Sequence, residues 1–182
     1  MIKRNPIPPR SSVMIRSAET ADIMWITEFL RNRWNSTMIV AHGEIIDAAA
    51  LPALIAENHR GLASYRRLGR DAELVTLDAA PVGEGTGTAL IEALTARLRA
   101  DGCRQLWLTT TNDKRSALQF YLRRGFRLIQ VRIGAVDIAR GLKPSIPAVG
   151  EHGIPIHDEL DLCRVLDPDA AHGGSFLPPW SR

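Results

Sequence analysis

Residues 81–88 have the types and spacing needed to bind an anion. Glycine stands at Gly83, Gly85 and Gly87, which lets the backbone come close to a bound group, and a helical pattern starts at Ala89. The backbone N–H groups at the start of a helix have no partner within the helix and attract negative charge. The simplest predicted occupant of this loop is a phosphate.

Two common phosphate-binding motifs do not fit the loop. The dinucleotide fingerprint G-x-G-x-x-G needs a third glycine where Thr88 or Leu90 stands, depending on the glycine that begins it. A Walker P-loop needs Lys followed by Ser or Thr after its last glycine, where Thr88 and Ala89 stand. A tight packing turn without any ligand stays open as the alternative.

A strand before the loop and a helix after it must position these glycines. The apolar run at 74–77 lies in a predicted strand over 72–77, and a predicted helix over 86–100 places Leu90, Leu94 and Leu98 on one face. The remaining predicted strands are 13–16, 54–57, 61–67, 104–110, 126–137 and a last strand over 159–166 that closes the sheet; the remaining predicted helices are 18–32 and 113–124. Turn residues between the early strands indicate antiparallel neighbours, whereas 34–50 is irregular and 143–155 is a proline-rich loop.

Two blocks of sequence share their spacing with one protein family. Val82, Gly85 and Gly87 occupy the positions of Arg/Gln-x-x-Gly-x-Gly/Ala between a strand and a helix, and residues 110–126 contain Asn112 and end in F-Y-x-x-x-G-F. Together these blocks resemble the GNAT superfamily of acyl-CoA N-acyltransferases. Val82 departs from the family, which usually has Arg or Gln at this position.

The resemblance implies an α/β (α+β) fold with a mixed, mostly antiparallel central sheet, flanked by helices and splayed between two central strands, 72–77 and 104–110. It implies a single N-acetyltransferase domain over 13–166. The leader 1–12 and the tail 167–182 have compositions typical of flexible segments, although Trp180 could dock on a neighbouring surface.

The resemblance also implies acetyl-CoA as co-substrate, no metal, and transfer of the acetyl group to a primary amine by direct attack on the thioester. Asn112 is as well explained by a helix cap as by the cofactor. Two alternatives stay open, a non-catalytic acyl-CoA-binding or interaction module and an unrelated nucleotide-binding α/β domain. The predicted cofactor-binding residues are Leu77, Val82, Gly83, Glu84, Gly85, Thr86, Gly87, Thr88, Asn112 and Tyr121.

Tyr121 and Glu73 are the predicted catalytic residues. A phenol near the sulfur could protonate the departing thiolate, and the Phe120-Tyr121 pair matches the family, although aromatic residues at helical spacing often belong to a core. Glu73 is the predicted base because period two places it on one strand face with Val75 and Leu77, where apolar neighbours raise a carboxyl pKa. Its alternative is a strand residue paired with an arginine.

The acceptor side is less well defined by the sequence. The resemblance places the irregular region over the acceptor pocket, and His157 with Asp158 and Glu159 forms a rival cluster for the base; solvated loop positions are the alternative for all of these residues. The proline-rich loop is a wall of the acceptor site or a subunit contact. The predicted substrate-side residues are Trp34, His42, Glu44, Asp47 and His157.

Length and composition set the outer limits. With 182 residues and 45% hydrophobic composition, one domain with a sizeable core is expected. The net charge of +3 is spread along the chain, so no nucleic acid partner is expected, and no run approaches the ~20 apolar residues that span a bilayer. We expect a cytoplasmic protein, monomeric or homodimeric, without membrane contact, in which Cys103 and Cys163 are core residues.

Overall fold

The computed structural model of the protein describes residues 13–167 and 178–181. The predicted leader and residues 168–177 of the predicted tail lie outside the described residues. The strands are β1 (Ile15–Ser17), β2 (Met38–Ala41), β3 (Glu44–Asp47), β4 (Ala53–Ala56), β5 (Gly61–Leu68), β6 (Asp71–Ala79), β7 (Gln105–Thr111), β8 (Arg127–Arg132) and β9 (Glu159–Val165). The α-helices are α1 (Ile23–Trp34), α2 (Thr86–Ala100), α3 (Arg115–Leu122) and α4 (Ala135–Leu142).

The strands form a seven-stranded sheet and a separate hairpin. The order in the sheet is β1-β4-β5-β6-β7-β9-β8, and every neighbouring pair is antiparallel except β6 and β7, which are parallel. Strands β2 and β3 pair with each other as the hairpin. The predicted mixed, mostly antiparallel sheet is therefore confirmed.

Helices pack on both faces of the sheet. On one face α2 contributes Leu90, Leu94 and Leu98, one turn apart as predicted and without solvent exposure. On the other face α1 contributes Ile26 and Leu30. Burying one such side chain stabilises the fold by about 1.5–3 kcal/mol, so these contacts fix the sheet between the two helices.

The two parallel strands at the centre of the sheet separate before they end. Strand β6 pairs with β7 only from Asp71 to Leu74, although β6 continues to Ala79 and β7 to Thr111. Beyond Leu74 the edge of β6 that faces β7 has no strand partner in the described chain. The predicted splay is confirmed, and it opens a cleft in the middle of the sheet.

A β-bulge at Val75 changes which side chains of β6 face the cleft. The register between β5 and β6 shifts so that Ser64 pairs with Thr76 while Tyr65 pairs with Leu74, which leaves Val75 as the extra residue. Glu73 and Val75 share one face as predicted, but Leu77 packs on the opposite face, against the α2 core. Period two fails at this point because the bulge inserts a residue.

Three further predictions about secondary structure are wrong. Residues 126–137 form the strand β8 followed by helix α4, because Gly134 at φ 73° ends the extended chain and caps the helix. Strand β9 lies between β7 and β8 and does not close the sheet at its edge. The irregular region contains the β2–β3 hairpin, whose turn consists of His42 and Gly43.

The turn of the β2–β3 hairpin places His42 against the sheet. His42 has φ 56° and Gly43 has φ 76°, the left-handed pair that a tight two-residue hairpin turn requires. A non-glycine residue in this conformation is uncommon and is found preferentially at functional sites. The hairpin lies over the sheet, and the His42 side chain reaches residues of β6, β7 and β8.

Candidate active site

A cavity of about 370 Å³ fills the opening between β6 and β7. The bulged part of β6 and the end of β7, which pairs with β9 but not with β6, form two of its walls, and residues of α1, β2 and α3 line the rest. Four carboxylates and a phenol line it, namely Glu73, Asp78, Glu151, Glu159 and Tyr121. The cleft therefore joins a free strand edge to groups that can accept or donate a proton.

A buried network of charged side chains lies against this cleft. His42 Nε2 is 2.7 Å from Glu73 Oε1, and both side chains are almost wholly buried. His42 Nδ1 lies 2.5 Å from a guanidinium nitrogen of Arg132, which can only donate. His42 Nδ1 therefore accepts this hydrogen bond, and its Nε2–H donates to Glu73.

Both oxygens of Glu73 are occupied in the network. Besides the bond from His42, the Arg66 guanidinium donates to Oε2 at 2.6 Å. On the other side Arg132 pairs with Asp161 at 2.9 Å and with Glu159 at 2.5 Å. Buried charges are tolerated only when they are paired and hydrogen-bonded, and this network meets that condition.

Trp180, close to the C-terminus, covers the network. Its ring stacks on His42 with the centroids 3.6 Å apart and 20° between the planes, and its edge contacts the buried Trp107. The indole N–H points to Asp161 Oδ2 at 3.4 Å. The expectation that Trp180 docks on a neighbouring surface is thus confirmed, and the surface is the charged network itself.

The glycine loop has the geometry of an anion site. Gly83 and Gly85 have φ of 94° and 88°, and the first backbone bond of α2 runs from the Ala89 N–H to the Gly85 carbonyl at 2.9 Å. The N–H groups of residues 86–88 consequently have no partner in the part of the chain that the structure describes. Val82 is 93% exposed, so it adds no side-chain contact to the loop.

Two arginines lie near the loop. The Arg124 guanidinium donates to Thr88 Oγ1 and stacks over the Phe120 ring at 3.4 Å, beside a surface cavity of about 400 Å³. Arg60 forms an ion pair with Glu84. The spacing of Phe120 and Arg124, one helical turn, is visible in the sequence. The contact of Arg124 with Thr88 could not be predicted from the sequence, because the two residues are 36 positions apart.

Tyr121 lies in a largely apolar setting. It lines the cleft and makes edge-on contacts with Phe120 and Phe126. Burial, reinforced by the charge of Asp78, holds the pKa of the Tyr121 phenol well above its usual value. The phenol is consequently protonated at neutral pH.

Two further carboxylates of the cleft are Asp78, whose side chain was not predicted to lie in the site, and Glu159, which belongs to the predicted rival cluster for the base. Burial raises the pKa of Asp78, whose Oδ2 accepts a 2.6 Å hydrogen bond from the Trp34 indole. Burial also raises the pKa of Glu159, which is only 3% exposed. Arg132 and the backbone N–H of His42 both contact Glu159 Oε2, and no described residue donates a hydrogen bond to Oε1.

The comparisons with known proteins agree with this geometry. The model of the Acetyltransferase (GNAT) family matches residues 61–126. The uncharacterized protein YdhI of Bacillus subtilis is 33% identical over 159 residues, which covers 85% of this chain and 99% of the relative. The chain belongs to the GNAT acetyltransferase family.

Solved structures show the same fold. An IAA acetyltransferase from Bacillus cereus has a TM-score of 0.61 at 17% identity, with 85% of this chain and 99% of that chain covered. A GNAT family acetyltransferase from Elizabethkingia anophelis with acetyl-CoA bound has a TM-score of 0.61 at 15% identity, with the same coverage. At identities this low, the two matches establish a likeness of fold alone.

The predicted substrate-side residues of this GNAT protein separate into two groups. Trp34 lines the cleft, and His42 lies buried beneath it. Glu44 is largely exposed and pairs with Arg66 at 2.9 Å, and His157 is exposed and pairs with Asp137. Asp47 accepts a bond from the Ala49 N–H and caps a short turn of helix.

Asn112 holds two segments of the GNAT domain together. Its amide nitrogen donates to the Pro155 carbonyl at 2.8 Å, and its amide oxygen accepts from the N–H groups of His157 and Asp158. The cap of α3 is Lys114, so the alternative explanation of Asn112 as a helix cap is wrong. The described contacts of its side chain position the segment that leads into β9.

The two cysteines of the GNAT protein do not line the cleft. Cys103 and Cys163 are free and buried, as expected for core residues, and burial raises the pKa of the Cys163 thiol to about 12. Within residues 13–167 and 178–181 no cluster of His, Cys, Asp and Glu could hold a metal ion. No helix in the same residues has both the length and the apolar character needed to cross a bilayer.

Proposed function

We propose that this protein is an N-acetyltransferase that transfers the acetyl group of acetyl-CoA to a primary amine by direct attack on the thioester. One observation carries the proposal: the splayed strands form a cleft that contains both Tyr121 and Glu159, and the free N–H groups of the glycine loop follow the end of β6. Family membership supports acetyl transfer, and the N-acetylation of an amine goes beyond it.

The residues present fit coenzyme A. The unpaired N–H groups of the loop and the adjacent Arg124 would hold the pyrophosphate, since a helix N-terminus favours negative charge by about 0.3–1 kcal/mol where it is exposed. The free edge of β6 beyond Leu74 offers backbone groups to an extended arm, and its N–H groups near Leu77 would stabilise an oxyanion. Acetyl-CoA supplies an activated acyl group with a thiol leaving group.

Tyr121 would act as the general acid. As the amine displaces the thiol, the sulfur needs a proton, and the Tyr121 phenol faces the cleft in its protonated form. The residue's aromatic contacts fix the ring without engaging the hydroxyl in a described hydrogen bond.

Glu159 would act as the general base, in place of the Glu73 predicted from sequence. A protonated amine cannot attack, and the base that removes its proton needs a free oxygen and a raised pKa. Glu159 has both, whereas Glu73 accepts hydrogen bonds from His42 and Arg66 and is the counter-ion of Arg66. The Glu73 assignment was based on apolar neighbours, whereas an imidazole N–H and a guanidinium bind its two oxygens.

The test is coenzyme A release by the purified protein with a panel of primary amines. Release that requires both acetyl-CoA and an amine would support the proposal, and it should fall in Tyr121→Phe and Glu159→Gln. A protein that binds acetyl-CoA but releases no coenzyme A with any amine would instead be a binding module. Absence of acetyl-CoA binding would refute both.

A further inference from the structure

A second cavity, of about 500 Å³, adjoins the cleft. It lies among the end of α1, strand β2, helix α4 and the segment 143–156, and Trp34, Lys114 and Glu159 line both cavities. A volume of this size accommodates a small molecule. Because Glu159 lies at the junction, a molecule in this second cavity would present its reacting group to the cleft.

The charges around the second cavity are unequal. Four cations line it, Arg31, Arg33, Lys114 and Lys143, against two carboxylates, Asp113 and Glu159. Asp113 is fully buried and accepts from Thr111 Oγ1 and the Glu151 N–H; it also lies 3.7 Å from the Lys114 ammonium, and Glu159 pairs with Arg132. Among the described residues no carboxylate forms an ion pair with Arg31, Arg33 or Lys143, so three cations of the wall are not neutralised.

Lys143 is the most informative of these cations. It is half-buried, its ammonium donates to the Met38 carbonyl at 2.7 Å, and burial lowers its pKa. Neither Lys143 nor Arg31 has a carboxylate within ion-pair distance in the described chain, whereas Lys114 pairs with Glu151. A cation that is partly removed from water gains most from an anion that binds beside it.

Apolar side chains form another part of the wall. They include Ile39, Val136, Ala139, Ile146 and Ile156, of which Val136 and Ala139 are the buried face of α4, and the polar residues Asn32, Asn35, Thr111 and Ser145 also line the cavity. The cavity thus offers a base at one side, cations at another and a hydrocarbon surface between them. A fully cationic acceptor such as a polyamine does not match this distribution.

We propose that the acceptor is a small primary amine that carries an anionic group, an apolar amino acid being the simplest example. Its amine would face Glu159, its carboxylate would bind the cations at Arg31, Arg33 and Lys143, and its side chain would contact the apolar wall. This inference rests on the proposed function, since it names the substrate class of the same site.

The test compares each amino acid with its amide and with the amine that lacks the carboxyl group. With leucine, leucinamide and 3-methylbutylamine as probes, coenzyme A release should show kcat/KM at least about tenfold higher for the acid, the size of one charged hydrogen bond. Lys143→Met should reduce that preference severalfold, because it lowers kcat/KM for leucine more than for 3-methylbutylamine. Arg115→Met, which removes an exposed cation that lines neither cavity, should keep it.

The outcomes separate the two proposals. Equal or better rates with the neutral amines, or a preference unaffected by Lys143→Met, would overturn the anionic acceptor and leave N-acetylation intact. No release with any amine, with acetyl-CoA binding retained, would overturn the proposed function and the acceptor class together.

A separate observation supports a second inference. The indole ring of Trp180 stacks on the His42 imidazole, and the His42 side chain is only 1% exposed. Trp180 also contacts Trp107 and points its N–H to Asp161, so it is fixed on three sides. We infer that Trp180 is a positioning residue that excludes water from the His42–Glu73 pair and preserves the Nε2–H form of the imidazole.

Nitrogen-15 spectra of the imidazole test this role in the full chain. The wild-type protein and Trp180→Phe should show a slowly exchanging Nε2–H signal, and Trp180→Ala should lose it together with a severalfold fall in kcat at an unchanged KM for acetyl-CoA. Retention of the signal in Trp180→Ala would overturn the inference. A variant whose KM rises while the signal persists would also overturn it.

Discussion

At the scale of single residues, the cleft assigns different tasks to groups of the same type. Glu73 and Glu159 are both almost fully buried, yet Glu73 has its two oxygens bonded to His42 and Arg66, whereas Glu159 Oε1 accepts no hydrogen bond from the described residues. Environment, and not residue type, thus separates a counter-ion from a base. Two predictions follow at this scale.

The first prediction tests Tyr121 as the general acid with the variant Tyr121→Phe. Removing the hydroxyl deletes the proposed proton donor and leaves the ring contacts with Phe120 and Phe126 intact. We expect kcat to fall by about 10²–10⁴-fold, the usual contribution of general acid catalysis, with an unchanged affinity for acetyl-CoA. Single-turnover kinetics and a binding titration measure the two quantities, and an unchanged kcat would exclude Tyr121 as the acid.

The second prediction concerns the pH dependence of the rate, which tests Glu159 as the general base. Burial raises the pKa of the Glu159 carboxyl above its ordinary value of about 4.3, and the base must be ionised to work. The rate should therefore fall as the pH falls through this raised pKa, at a higher pH than for an ordinary glutamate. Because the folded protein binds the Glu159 proton more tightly than the unfolded chain does, the carboxyl adds to the stability of the fold at any pH below its pKa in the unfolded chain. That contribution is lost as the pH rises through the raised pKa of Glu159 in the folded protein.

Glu159→Gln removes the titrating group and should abolish this acidic limb together with most of the rate. The matched variant Glu73→Gln keeps the limb, because Glu159 remains. The profile of kcat/KM against pH for the three proteins is the measurement. An acidic limb that persists in Glu159→Gln and vanishes in Glu73→Gln would return the role to Glu73.

At the scale of elements, the site depends on the close approach of β5, β6 and the start of α2. A Cβ on Gly61 would lie 2.8 Å from the Asp78 carbonyl and 2.9 Å from Leu90 Cδ1, so the two strands and the helix meet where no side chain fits. This contact fixes the end of β6 relative to the glycine loop. It couples stability to the shape of the cofactor site.

Gly61→Ala should lower the free energy of unfolding by about 1–3 kcal/mol, as overpacking does, and should also weaken acetyl-CoA binding. Gly141→Ala is the control, because a Cβ there meets nothing within 4 Å and the residue lies in α4. It should leave binding unchanged and raise stability by up to about 1 kcal/mol. Denaturant titration of both variants checks this, and a harmless Gly61→Ala would contradict the packing argument.

At the scale of the whole molecule, local patterns were predictable and long-range assembly was not. Short motifs and the family resemblance based on them predicted the glycine loop, helix α2, the segment 110–126 with Tyr121, and the splayed strands. The network around His42 joins residues that are 31, 90 and 117 positions apart, and the irregular composition of 34–50 gives no sign of the hairpin turn that delivers His42. The bulge at Val75 likewise depends on pairing between strands, which residue types alone do not specify.

Binding of acetyl-CoA to the glycine loop tests the central claim most directly. Calorimetric titration should show one site in the wild-type protein and at least tenfold weaker binding in Gly85→Val, since Val is strained at φ 88° and the loop must distort. Gly102→Val introduces comparable strain at φ 72° at the other end of α2 and should keep wild-type affinity. A folded wild-type protein that does not bind acetyl-CoA, or a Gly85→Val variant that binds it equally well, would contradict the account.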